Sequence, residues 1–189
     1  MIDIDYGPLD KLIGSWEGVR GLDVAPEPDG AEENAYRETI HFSPIGEVVN
    51  AEEERYAALQ YRQQVFRIPD GKRIHDQSGY WMWNPQTRVI WHCFVIPRGV
   101  TVNAVGHSDS RPDGIQVLSV QAAEHGEPGQ ITQTPFLSEK ARTSAFKMSL
   151  QVSANQLRYE QTSSLFIYGK SFSHVDNSLL TRVVESSDR

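Results

Sequence analysis

Short runs of β-favouring residues, each closed by a Gly, Pro, Asp or Asn turn, recur along almost the whole chain and leave little room for helix. Tyr36-Arg37-Glu38-Thr39-Ile40-His41-Phe42 alternates large and polar side chains, as a half-buried strand does, and Ser43-Pro44-Ile45-Gly46 then reads as a turn. Further extended segments are read at 48–56, 61–68, 73–83, 88–96, 100–105, 115–123, 143–152, 156–162, 165–168 and 179–184, with Glu127-Pro128-Gly129 ending one of them. Only Pro8-Leu9-Asp10-Lys11-Leu12-Ile13 fits a short helical turn, and 137–146 reads as a second short helix or an irregular loop. Residues 25–34, with Pro26, Pro28, Gly30 and several carboxylates, read as a solvated loop. Roughly ten strands at regular spacing predict an all-β meander closed into a barrel or a sandwich, a single domain over 1–189.

Charge and composition remove several function classes. A net charge of −7, with no basic run longer than Gly71-Lys72-Arg73, argues against a nucleic-acid partner. No apolar stretch approaches the ~18–20 residues that span a bilayer, so no membrane span is expected. The start, Met1-Ile2-Asp3-Ile4-Asp5-Tyr6, is acidic and lacks the basic and apolar regions of a signal peptide. The single cysteine, Cys93, excludes an internal disulfide and cysteine-rich metal sets, and a cytoplasmic location is expected. No Gly-x-Ser-x-Gly elbow and no His-x-x-x-His pair is present, so catalysis by side chains alone has little support.

Gly14-Ser15-Trp16-Glu17-Gly18 stands at the start of the first strand. In calycin-like barrels a Gly-x-Trp at this place plugs the barrel floor beneath a basic side chain of the last strand, a cation–π contact of ~0.5–2 kcal/mol. Arg182 is the natural partner of Trp16, and the pair is expected to close the structure.

Five blocks together carry a wider likeness. They are Pro8 to Gly18, Tyr36 to Gly46, His75-Asp76-Gln77-Ser78-Gly79-Tyr80-Trp81, Pro97-Arg98-Gly99-Val100-Thr101-Val102, and Tyr168-Gly169-Lys170 running into the closing strand. In this order the chain resembles the nitrobindins and the related haem-binding domain of a human THAP zinc-finger protein. The resemblance implies a ten-stranded antiparallel barrel like that of fatty-acid-binding proteins. It also implies haem b held at the barrel mouth by one histidine at the final strand, with nitric oxide binding and isomerisation of peroxynitrite to nitrate at ferric haem. Whether the protein is an enzyme stays open. The matching axial ligand to the haem iron is His174, in Ser173-His174-Val175-Asp176-Asn177-Ser178. One departure is clear: where the family runs from a glycine-rich segment into Tyr-Pro-Thr, this chain has Gly21-Leu22-Asp23-Val24-Ala25-Pro26.

The residues around His174 leave its direction open. If the segment is extended, His174, Asp176, Ser178, Leu180 and Arg182 share one face, and Asp176 or a backbone carbonyl orients the imidazole. If the turn-like composition prevails, His174 sits on the rim as a surface or hydrogen-bonding histidine. Among the other histidines, His92 reads as a satisfied core residue, His41 as a polar wall residue, His75 as lying at a barrel end, and His107 and His125 as exposed in turns. Glu52-Glu53-Glu54 reads as a solvent-facing strand edge, and Trp81 and Trp83 share one face. The competing function is a carrier of a fatty acid or another small apolar ligand in the barrel, with Arg62, Arg88 or Tyr61 as head-group anchors. Oligomeric state is open, a homodimer included.

Overall fold

The computed structural model describes residues 4–127 and 129–184. Met1 to Asp3 of the acidic start and Pro128 of the expected turn lie outside them. A short 3-10 helix (Gly7–Leu12) is followed by β1 (Gly14–Glu27), β2 (Gly30–Asn50), β3 (Glu54–Arg67), β4 (Arg73–Trp83), β5 (Ile90–Ile96), β6 (Val100–Ser110), β7 (Gln116–Ala123) and β8 (Gln130–Gln133). Then come α1 (Pro135–Lys140), β9 (Ala141–Val152), β10 (Gln156–Ile167) and β11 (Lys170–Arg182). Neighbours run β5-β4-β3-β2-β1-β11-β10-β9-β7-β6, and a β5–β6 pairing closes this ring of ten antiparallel strands. β8 is an addition to the ring, pairing with Val100 to Asn103 of β6 beside the stretch that β7 uses.

The strands are longer and fewer than the turn residues suggest. β2 runs straight through Ser43 to Gly46, where the register slips and Gly46 takes a φ of 101°. β1 begins opposite Phe42, so from Ser43 onward β2 lacks a β1 partner, and a proline without an N–H is tolerated there. The true reversal is at 51–53, without Gly or Pro, with Ala51 and Glu52 in the left-handed region. Glu52 and Glu53 thus lie in a turn and only Glu54 on a strand. Residues 25–34 form the tip of the β1–β2 hairpin, paired down to Glu27↔Gly30, rather than a loop.

One end of the barrel is sealed. Trp16, with no exposed surface, donates its indole N–H to the Leu12 carbonyl (2.8 Å), and Leu9 and Leu12 are equally buried beside it. Arg182 pairs with Trp16 in the β1–β11 ladder, and its Cζ stands 4.2 Å above the indole. Its guanidinium donates to the carbonyls of Ile13 (2.5 Å), Lys11 (2.6 Å) and Ala154 (2.7 Å), tying the 3-10 helix and the β9–β10 turn to the last strand. Apolar residues such as Ile40, Phe42, Leu59, Ile90, Leu118 and Leu150 fill the barrel above.

A bulge in β1 sets the upper half. From Gly18 to Gly21, β1 uses three steps against two in β2, Glu38 to Tyr36. Inward positions on β1 therefore change from even (Trp16, Gly18) to odd (Gly21, Asp23). Gly21 is required here because the Tyr36 ring lies over it: a Cβ would fall 1.9 Å from Tyr36 Cε2.

Arg182 combines a cation–π contact with three charge-assisted bonds to main-chain carbonyls. Arg182→Ala is expected to cost on the order of 3 kcal/mol, or about 10 °C in Tm, read by urea and thermal denaturation. Arg182→Lys should recover only part of this, because an ammonium lacks the planar fork. Wild-type stability in Arg182→Ala would contradict this account of the sealed end.

Candidate functional site

At the opposite end a cavity of about 460 Å³ reaches the surface between the β1–β2, β5–β6 and β10–β11 tips and α1. Its volume lies in the range of small-molecule pockets. One side is apolar, with Phe94, Ile96, Val102, Leu137 and Phe146, and the other carries polar side chains from β1, β10 and β11.

β11 is extended through Ser173 to Ser178, so its period of two gives His174 and Asp176 to the cavity and buries Ser178 and Leu180. The β1 bulge brings Asp23 to the same face, in register opposite Asp176. His174 Nε2 lies 2.6 Å from Asp23 Oδ1 and 3.8 Å from Asp176 Oδ2. Asp176 in turn accepts a 2.9 Å bond from Gln161 Nε2. The partner holding the imidazole is thus Asp23, with Asp176 behind it. Burial alone would lower the His174 pKa; the bond to Asp23 and the charges of Asp176 and Asp23 outweigh it, and the net shift is upward. Burial pushes Asp176 up to about 6, against the pull of the His174 charge. Ligand atoms of Asp23, His174 and Asp176 lie within 4.8 Å of one another, a spacing able to hold a metal ion.

β4 stands four places from β11 round the ring of ten, and from it His75 lines the cavity. His75 Nε2 lies 3.2 Å from Gln77 Oε1, the Gln77 amide donates to Tyr61 Oη, and Tyr61 Oη lies 2.7 Å from His92 Nε2. With Gln77 donating to Tyr61, the Tyr61 O–H is free to donate to His92 Nε2, the arrangement that puts the His92 proton on Nδ1. That Nδ1 is buried and has no partner among the described residues, so His92 is only half satisfied. Burial lowers its pKa to about 3, and its ring stacks on Trp81 at 4.1 Å. Burial also lowers the His75 pKa, opposed by its bond to Gln77.

Beneath the polar wall lies Glu38, only 2% exposed. Its Oε2 accepts from Gln63 Nε2 (2.7 Å) and Tyr159 Oη (3.0 Å), and Tyr159 Oη lies 2.8 Å from Tyr36 Oη. Glu38 Oε1 and the neighbouring Ser178 Oγ are both buried without a hydrogen bond of good geometry. Burial raises the Glu38 pKa to about 7, although Ser178, Gln63 and Tyr159 favour the anion.

The remaining sequence candidates lie elsewhere. His41 is exposed on the outer face, its Nδ1 2.8 Å from Ser15 Oγ, because the even–odd alternation of β2 sends Ile40 and Phe42 inward. Arg62 is outside, paired with Asp76 at 2.8 Å, and Arg88 sits exposed beside the β4–β5 turn. Tyr61 is committed to His92 and Gln77. His107 lies exposed within β6 rather than in a turn, and His125 is exposed. Sequence reasoning missed Asp23, which lies in the replacement segment 21–26, and gave no functional role to Arg98 at the cavity mouth.

Because the folded-state pKa of Glu38 is above its ordinary value of 4.5, its contribution to stability is full below about pH 4.5 and is lost as the pH rises through about 7. Glu38→Gln stays neutral and should raise Tm at pH 8 by about 5 °C, with little gain at pH 5. His174 and Asp176 titrate in both proteins, so the difference between the two Tm–pH curves isolates Glu38. Parallel curves would contradict the assignment.

Among the described residues, no helix is long and apolar enough to cross a membrane. No curated protein matches the chain. Among solved structures it is similar to Rv2717c from M. tuberculosis, with a TM-score of 0.71 and 22% identity over 95% of this chain and 100% of that one. At that identity the likeness speaks for the barrel. Residues 5–182 match the sequence model of the THAP4-like, heme-binding beta-barrel domain, nearly the full length of the chain. A ten-stranded ring sealed at one end and open to a histidine-bearing cavity at the other therefore belongs, by sequence as well as by fold, to the THAP4-like haem-binding β-barrel domain family.

Proposed function

We propose that this chain binds haem b in the open-end cavity with His174 as the axial ligand to iron. The observation that carries the reading is the Asp23–His174 pair: a carboxylate holds Nε2, while Nδ1 has no hydrogen-bond partner among the described residues. A ligating histidine commonly has its other ring nitrogen held by a carboxylate, so the pair suits the group once the ring turns over about Cβ–Cγ, giving Nδ1 to Asp23 and the sterically open Nε2 to iron. The apolar side, with Phe94 and Phe146, suits a porphyrin face. The only cysteine, Cys93, alternates with inward His92 and Phe94 and so faces away, which favours non-covalent attachment and suits a reducing compartment such as the cytoplasm.

Bound ferric haem supplies an iron position at which nitric oxide binds and peroxynitrite is converted to nitrate. The chain's own part is to aim and electronically support the imidazole through Asp23, to hold Asp176 in place through Gln161, and to place His75, whose pKa burial lowers, across the cavity. A second reading, a carrier of an amphipathic carboxylic acid, is favoured by the apolar wall and by a cationic side chain, Arg98, at the rim.

Adding hemin to the protein should give a shifted Soret band at one-to-one stoichiometry. His174→Ala should abolish the shift, and Asp23→Asn should weaken binding about 10–100-fold. An unchanged spectrum in His174→Ala would overturn the ligand assignment. Loss of accelerated peroxynitrite decay in the same variant tests the reaction.

A further inference from the structure

The charges lining the cavity are unevenly matched. Asp23, Glu27, Glu32 and Asp176 are acidic, and Arg67 and Arg98 are the fixed cations. Arg67 is engaged by both carboxylate oxygens of Asp70, at 3.1 and 2.5 Å. Arg98 has no carboxylate within ion-pair distance among the described residues. Its one hydrogen bond is long, from Nη2 to the Ile74 carbonyl at 3.3 Å, which leaves most of its five N–H donors open. That bond lays the side chain against β4, one residue before His75. The positive field of Arg98 reaches both cavity histidines, adding to burial in lowering the His75 pKa and offsetting a small part of the net upward shift of His174.

Arg98 also stands on a rigid support. Gly99, with a φ of 88°, donates its N–H to the Ile96 carbonyl (3.0 Å) and accepts from Thr134 N at 3.0 Å. The β5–β6 turn is thereby pinned to the chain entering α1, and the arginine itself makes none of these bonds. Nothing in the turn calls for a guanidinium at position 98.

We propose that Arg98 is the carboxylate anchor of the cavity, binding the acid group of an amphipathic ligand whose apolar body lies against Phe94, Phe146 and Leu137. A guanidinium receives a carboxylate through two parallel bonds, and an unpaired one at a cavity mouth is suited to that task. The acidic residues of the β1–β2 tip and of the His174 wall repel a carboxylate, so the ligand enters with its acid group toward the β5–β6 turn. The inference rests on the cavity being the ligand site and does not require His174 to ligate iron. A propionate of haem and the head group of a fatty acid offer the same chemistry.

The test compares each acid with its ester. Hemin and hemin dimethyl ester, and a fluorescent fatty acid and its methyl ester, are titrated into wild type, Arg98→Gln, Arg98→Lys and His174→Ala. In wild type each bound acid should exceed its ester in affinity by about tenfold. Arg98→Gln should remove that preference without altering ester binding or the thermal transition, and Arg98→Lys should be intermediate. Preference for hemin alone identifies a propionate, and preference for the fatty acid alone identifies a lipid acid. A fatty-acid preference with no hemin binding would sink the haem reading and leave the anchor standing. Hemin binding lost in His174→Ala, with an acid-to-ester ratio untouched by Arg98→Gln, would overturn the anchor and spare the haem reading. Wild type binding neither acid would overturn both.

Discussion

Between Gly18 and Gly21, β1 carries one residue more than the neighbouring strands need, and the chemistry of the open end depends on where that residue is placed. Below the bulge, the β1–β11 ladder aligns Trp16 with Arg182 and seals the floor. Above it, the same ladder aligns Asp23 with Asp176 beside His174. Without the extra residue, period-two alternation would turn Asp23 outward, and the imidazole would lose its closest carboxylate. One irregularity thus lets a single strand pair serve as a dry plug at one end and a polar wall at the other.

The two ends are opposite in physical character. The sealed end has an apolar plug, and the charge of Arg182 that closes it is spread over an indole face and three carbonyls. The open end gathers groups whose protonation is sensitive to their surroundings: Glu38 and Asp176 raised by burial, His174 raised by its carboxylates and His75 lowered by burial. Perturbed groups converging on one cavity are the usual mark of a working site. Here they surround a space with one apolar side, the combination that a flat amphipathic cofactor or a fatty acid requires.

Much of the architecture was legible because binary alternation survives in strands such as Tyr36 to Phe42, and because Gly-x-Trp near the start has an arginine to meet at the end. The errors have local causes. Pro44 and Gly46 look like a turn but form a bulge at a sheet position that lacks one neighbour. The reversal at Ala51 to Glu53 has no turn residue to announce it. Residues 25–34 are rich in loop-type residues but are held as a hairpin by cross-strand pairing. Ser173 to Ser178 has turn composition, and pairing with β10 on one side and β1 on the other makes it strand. The site was half legible: His174 was visible as a candidate, whereas Asp23 is close to it only through a bulge that no local pattern marks. Arg98 was visible only as part of a turn, since its significance lies in having no carboxylate within ion-pair distance among the described residues.

The central claim is that the His174 ring, held by Asp23, faces iron inside this cavity. A crystal structure of the protein with bound hemin tests it most directly. The account predicts a porphyrin within the open end, with a His174 nitrogen as its axial ligand and the Asp23 carboxylate on the other ring nitrogen. Iron held by a different side chain, or a porphyrin stacked outside the barrel, would contradict it.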